Sequence, residues 1–374
     1  MGALVVPDDP AAGAPAAPAR PAASPALDAE VRRLSRFVAA ERRLPFRRPV
    51  RVQLLGDREF ETEYSAGEAG ETEQDVADTL VAPVALGLLD PAEAAEFADV
   101  GSAADADTVA GFYDSKRDRL YVRGTTITPA VRATLVHELT HALDDQHFNL
   151  DRPDLWERDD EAGPAFDALV EGSATYVEER YLESLPAAER RQVEEAEERA
   201  AGAGAVELPE LPELFLTYLA FPYEDGREFV DTLVGLAGWE ALNEAFRRPP
   251  VSTERLLDAT YFLDGEPPLG LADPVADGTV IDRGPVGELD LLLLLDDRID
   301  EDEAFDAAEG WGNGRYVAWR DGTRSCTRQA WVMDSARDRR ELRAALTVWV
   351  RHATELTASL ADGPDGALEL TSCR

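Results

Sequence analysis

The sequence predicts an α+β fold: helices and a small sheet gathered around one candidate metal site, followed by a smaller α/β domain. Three observations carry this expectation. Leu135–Phe148 reads LVHELTHALDDQHF, an apolar helical stretch that puts His137 and His141 on one face. Ala165–Leu182 is a second long helical stretch, with Glu171 inside it. Short alternating runs before the first of these helices, and again beyond residue 285, read as strands.

Taken in order, residues 1–26 are mostly Ala and Pro and are expected to form an unfolded leader or tether. Leu27–Arg43 carries Leu27, Val31, Leu34, Phe37 and Val38 at helical spacing. Val50–Leu55 reads as a strand and Phe60–Tyr64 as a second, with Gly56, Asp57 and Arg58 suggesting a hairpin between them. Gly67–Gln74 is a polar loop, Asp75–Leu89 is apolar at helical spacing, and Pro91–Phe97 reads as a short helix. Val109–Tyr113 and Arg119–Val122 read as a strand pair joined through Asp114–Asp118. An ordinary hairpin is the plainer reading of that pair. If it forms a sheet edge beside a cleft, a peptide can add to it as a further strand.

Val131–Leu143 contains no Gly or Pro, and Pro129 stands where a helix start tolerates it. Asn149–Pro164 is expected to be a surface loop. The highly charged Ala187–Ala200 reads as an exposed helix or lid, and Gly202–Pro212 as a loop. Leu214–Phe221 is apolar, FPYEDG (Phe221–Gly226) reads as a loop meeting a helix, and Phe229–Phe246 is helical. Ser252–Leu257 suits a short helix capped by Ser252.

Pro, Gly and Asp dominate Gly265–Gly284, which divides the chain into a first domain at 27–265, a linker at 266–284 and a second domain at 285–374. In the second, Leu289–Leu295 is a short apolar run and Asp300–Ala308 an acidic helix. Arg315–Trp319 and Arg328–Met333 alternate as strands, Arg337–Leu360 reads as a long helix, and Leu368–Leu370 as a last strand.

The chain has 374 residues, 44% of them hydrophobic, enough for a real core. Its formal net charge is −38, from 75 acidic against 37 basic side chains, and Lys116 is the sole lysine. This balance argues against nucleic-acid partners and against an anionic membrane surface. It is compatible with a high-salt setting, where repulsion is screened. No stretch is long and apolar enough for a transmembrane segment, and LDLLLLL at Leu289–Leu295 is too short. No basic region followed by an apolar one stands near Met1, so no signal peptide is expected in the sequence as given. Export with a removed signal, envelope association and a cytoplasmic setting all stay open. Cys326 and Cys373 are the two cysteines, and a structural disulfide between them is expected, with two free thiols as the alternative.

The pattern His-Glu-x-x-His at His137, Glu138 and His141 suits Zn²⁺ held by two imidazoles, with Glu138 beside a metal-bound water. A buried helix whose histidines bond to neighbours is the bland alternative, but it leaves a titratable cluster in apolar surroundings without compensation. Glu171 is the expected third ligand, because Gly172, Ser173 and Ala174 after it permit close helix approach. Asp167 shares the stretch, and Glu178 and Glu179 read as solvated acids. Asp144, Asp145 or Thr175 is expected to receive an imidazole N–H. His147, Tyr176 and Tyr223 are candidate donors to a developing oxyanion, although a packed Tyr with a satisfied hydroxyl is the commoner case. His147 has a structural alternative, and His352 is assigned nothing.

HELTH at His137–His141 followed by EGSAT at Glu171–Thr175 is similar to the gluzincins, the thermolysin-like zinc metallopeptidases. ALDDQHF, EGSATYVEERY, FPYEDGREFV, RPPVSTERLL and GWGNGRYVAW more closely resemble uncharacterised bacterial and archaeal proteins with a minimal gluzincin-like core. The resemblance implies a zincin-like core, His137, His141 and Glu171 as zinc ligands, and Glu138 as base and acid. It implies a peptide or protein substrate, bound by the hairpin ending near Val122. Thermolysin itself has an Asp supporting a His ligand where Thr175 stands here, and no downstream His is evident to hold the transition state, a place that Tyr223 fills in this reading. The expected activity is zinc-dependent hydrolysis of peptide bonds. The alternative from another class is a zinc-stabilised binding or envelope-associated protein without turnover. Aminopeptidase action would need an anionic pocket for a free α-amine.

Overall fold

The computed structural model describes residues 25–65, 73–100, 109–203, 213–265 and 267–374. The leader and the loops expected at 67–74 and 202–212 fall mostly outside these residues. Helix α1 (Pro25–Glu41) buries Leu27, Val31, Leu34 and Val38, the stripe its spacing predicts. Strand β1 (Arg51–Leu55) follows, and then α2 (Asp57–Ser65). This corrects the strand expected at Phe60–Tyr64 and its hairpin. Asp57 and Glu59 favour a helix N-terminus, and Phe60 and Tyr64 sit one turn apart, stacking with a centroid distance of 6.3 Å.

Three short helices, α3 (Glu73–Thr79), α4 (Val81–Leu86) and α5 (Pro91–Val100), replace the helix expected over 75–89 and extend the one expected at 91–97. Strands β2 (Gly111–Asp114) and β3 (Arg119–Arg123) form the expected hairpin. β1 pairs parallel to β3, so the sheet order is β1-β3-β2 and β2 is an outer strand.

Helix α6 (Pro129–Phe148) crosses this sheet. The Thr128 side chain caps it by accepting from Val131 N, and Pro129 occupies the first turn. Leu135, Val136, Leu139, Ala142 and Leu143 are all fully buried, so α6 is enclosed rather than one-sided. A single turn, α7 (Pro153–Trp156), interrupts the expected loop. Helices α8 (Ala162–Ser184) and α9 (Ala187–Ala203) come next.

Helix α10 (Glu213–Ala237) runs straight through FPYEDG, with Pro222 inside it. The loop expected there is therefore wrong. The reason is packing: a Cβ on Gly226 would lie 2.1 Å from Ala168 O, and one on Gly172 would lie 2.1 Å from the Gly226 carbonyl. This glycine-to-glycine crossing of α8 and α10 holds the chain helical across a proline that lacks an N–H for the ladder. Helices α11 (Trp239–Arg247), α12 (Glu254–Leu257) and α13 (Ala259–Asp264) complete this half. The residue before α12 is Thr253, without a side-chain cap, in place of the expected Ser252 cap.

The second half contains β4 (Val280–Pro285), α14 (Glu288–Asp296), α15 (Glu301–Ala308), β5 (Trp311–Asp321), β6 (Arg324–Met333), α16 (Ala336–His352), β7 (Thr357–Asp362) and β8 (Leu368–Cys373). The sheet order is β4-β5-β6-β8-β7 with every pair antiparallel, so this half is α+β rather than the expected α/β. The helix expected over 337–360 ends at His352, and β7 takes its last third. Cys326 and Cys373 face each other on β6 and β8 and are disulfide-bonded. The whole chain is thus a mixed α+β protein with two sheets.

Two main cores result. One joins Leu135, Val136, Leu139 and Leu143 to Phe166, Leu169, Val177, Phe229 and Leu233. The other joins Trp311, Trp331 and Trp349 to Leu291, Leu294, Leu342 and Leu368. Leu86 belongs to the second core and the Ser372 hydroxyl donates to Ala85 O, so α4 packs on the later sheet despite its early place in the chain. None of the described helices is long and apolar enough to cross a membrane.

Candidate metal centre

Helices α6 and α8 pack side by side and bring the predicted residues together. Nε2 of His137 lies 3.1 Å from Glu171 Oε2, and Nε2 of His141 lies 3.5 Å from Glu171 Oε1. The rings of His137 and His141 meet edge to face at 4.7 Å. Ligand atoms of His137, Glu138 and His141 also lie within 4.8 Å of one another. Donors at 2.0–2.1 Å around a tetrahedral Zn²⁺ sit roughly 3.3 Å apart. Each imidazole nitrogen lies about that far from an oxygen of the same carboxylate, and two nitrogens with a hard carboxylate are a donor set that suits such an ion.

Glu138 is buried on the same helix, and its Oε2 has no hydrogen-bond partner. A buried carboxylate oxygen left without a partner is costly unless something else engages it. Burial pushes the Glu138 carboxyl up, against the pull of His141 and His137. Burial also acts most strongly on Glu171, but the two imidazoles outweigh it and hold that carboxyl well below the usual range. For His137, burial is outweighed by its hydrogen bonds to Glu171 and Glu178, and the imidazole is raised well above its ordinary value. His141 is raised too, with burial opposed chiefly by Glu171.

The partner of the His137 ring is not the predicted one. Nδ1 of His137 lies 3.0 Å from Glu178 Oε2, and a carboxylate can only accept, so Nδ1 donates to it. Glu178 stands two turns beyond Glu171 on the same face of α8, a seven-residue spacing visible in EGSATYVE but read as a solvated acid. Asp144 instead accepts from the Arg42 guanidinium at 2.6 and 3.0 Å and from the Ser173 hydroxyl at 2.7 Å, all buried. Asp145 accepts from the Tyr113 hydroxyl at 2.9 Å and from Leu150 N, tying the hairpin to the end of α6. The Thr175 hydroxyl is buried without a partner. None of these three therefore receives an imidazole N–H.

Of the candidate oxyanion donors, Tyr223 alone is at the centre, its ring 6.3 Å from that of His137. Burial, Glu171 and Asp167 raise its phenol, so it stays protonated. Tyr176 accepts from Arg180 and stacks edge-on against Trp239, and His147 bonds the Pro45 carbonyl at 2.8 Å. Both are structural, as is His352, which bonds Arg298 O. The close neighbour that sequence reasoning missed is Gly111 on β2. A Cβ there would lie 2.7 Å from Thr134 and 3.2 Å from Glu138 Cγ, so only glycine lets the outer strand approach this turn of α6.

A domain of unknown function, DUF8575, matches residues 276–371, which span the second sheet from β4 into β8. No curated protein and no solved structure matches the chain.

Proposed function

We propose that this chain is a zinc-dependent hydrolase of peptide bonds with a gluzincin-like core. The observation that carries the reading is the convergence of His137, His141 and Glu171 around one point, beside the partnerless oxygen of Glu138. His137, His141 and Glu171 would hold the ion, and Glu178 orients the His137 ring. Bound zinc supplies a Lewis acid and brings the pKa of a water towards neutrality.

Glu138 Oε2 takes the proton of the attacking water and returns it to the leaving amine. Its raised affinity for protons suits the first of these steps, the taking of the proton. The Tyr223 hydroxyl donates to the oxygen that gains charge at the scissile carbonyl. An extended substrate adds to β2, the outer strand of its sheet, which passes beside Glu138.

The test is zinc analysis together with peptide-library cleavage, on the intact chain and on Glu138→Gln. Both proteins should retain zinc, and the variant should lose roughly 10²–10⁴-fold in kcat. Zinc in both with no cleavage by either would replace this reading with that of a binding protein.

A further inference from the structure

A cavity of about 310 Å³ opens between the start of α8, the middle of α10 and the β4–α14 corner. That volume is at the lower end of ligand pockets, which run from about 300 to 1,000 Å³. None of the residues of the candidate centre lines the cavity, but two near them in the chain do. Asp167 lines it one turn before Glu171, and Pro222 lines it next to Tyr223. Its walls are mainly ring and aliphatic surface, from Trp156, Phe221 and Leu289 among others.

Four carboxylates line this cavity: Asp160, Glu161, Asp167 and Asp290. Three already have partners. Asp160 is paired with Arg158. Glu161 accepts from Thr253 N and its hydroxyl. Asp290 accepts from the Tyr218 hydroxyl and from Gly287 N at 2.7 Å. Asp167 has no hydrogen bond or ion pair to any described residue, although it stands open to the cavity. It is the one carboxylate of the four left for a cation entering the cavity to pair with.

Trp156 adds a second preference. It lies against Gly163, where a Cβ would come within 2.7 Å of the indole, and it keeps 62% of its surface open. An indole and a carboxylate lining one cavity are a setting for a guanidinium or ammonium group with an aliphatic stem.

We propose that this cavity is a specificity pocket for a basic side chain, arginine or lysine, beside the scissile bond. Its negative end is Asp167 and its aromatic wall Trp156. The proposal rests on the peptidase reading for its place beside the bond, but not for the binding itself. A cavity of about 310 Å³ with apolar walls fits a side chain rather than a bare α-amine.

The test has a cleavage arm and a binding arm. In the first, zinc-loaded protein cleaves N-acetylated peptides that vary at the positions flanking the bond. Arginine or lysine should be favoured over leucine at one position. Asp167→Asn should reduce that ratio of kcat/KM by roughly 10-fold or more, and Trp156→Ala should also reduce it. Asp321→Asn, at the exposed end of β5, controls for the overall negative field and should leave the ratio in place. A preference absent from the parent, unchanged in Asp167→Asn, or lost equally in Asp321→Asn overturns the proposal, as does a requirement for a free N-terminus.

In the second arm, calorimetry follows arginine-containing and leucine-containing N-acetylated peptides binding to Glu138→Gln. Tighter binding of the arginine peptide, lost when Asp167→Asn is added, upholds the pocket even if no peptide is cleaved, which would sink the peptidase reading alone. Equal binding of both peptides overturns the pocket and leaves the peptidase reading standing.

Discussion

Glu178 meets the far side of the His137 ring from Glu171: one carboxylate lies 3.0 Å from Nδ1 and the other 3.1 Å from Nε2. The pair fixes both the tilt of the ring and which nitrogen is free for an ion. Glu178→Gln should weaken zinc binding roughly 10-fold or more, since such outer partners typically contribute 10–100-fold. A chelator-competition titration measures this. Unchanged affinity would make Glu178 a bystander.

Beneath the centre, Arg42 and Asp144 form an ion pair with both side chains withdrawn from solvent, and Ser173 completes the carboxylate's partners. Arg42→Met strands a charge under α6 and should destabilise the protein by about 3–5 kcal/mol. Arg42→Met combined with Asp144→Leu should recover a large part of that loss. Denaturant unfolding distinguishes the two, and an additive double variant would contradict the pairing argument.

The crossing at Gly172 and Gly226 leaves no room for a methyl group, because the obstructing atoms are backbone. Gly172→Ala must spread α8 from α10. A loss of about 1–3 kcal/mol is expected, with weaker zinc retention because Glu171 is the adjacent residue. A variant melting with the parent would show that the helices yield more easily than this.

The corner where α14 meets the first half is acidic and enclosed. Glu288 titrates at about 8, raised by burial and by Glu254, Glu161, Glu309 and Asp258. Below its ordinary value of 4.5, folded and unfolded chains both hold the proton. Between there and about 8 the folded chain holds a proton that the unfolded chain has released, so stability falls as pH rises. Glu288→Gln should flatten that part of the curve and melt above the parent at pH 8 and higher. Calorimetry from pH 5 to 9 gives the comparison, and parallel curves would refute it.

The centre was legible because its pattern is short-range. His137, Glu138 and His141 share one turn of a helix, and Glu171 is flagged by the small residues after it. Helices α6 and α8 were equally clear, since their apolar positions recur at helical spacing over many turns. What stayed hidden depends on partners far away in sequence. Residues 57–65 fit either period, and the aromatic contacts of Phe60 and Tyr64 with Phe112 add to the acidic first turn in favour of a helix. Pro222 reads as a break unless Gly226 is known to meet Gly172. Glu178 looks like surface charge until α6 is laid against it. β7 lacked a strong alternation and takes its place by pairing with β8.

β8 is an interior strand, flanked by β6 and β7, and its Ser372 holds α4 at Ala85 across 287 positions. A ribosome must therefore have passed residue 373 before the sheet can close and Ser372 can pin α4. Until the strands beyond residue 310 are made, Val81, Ala82 and Leu86 wait without their cover, so this early segment is where a nascent chain would most need a chaperone's grip.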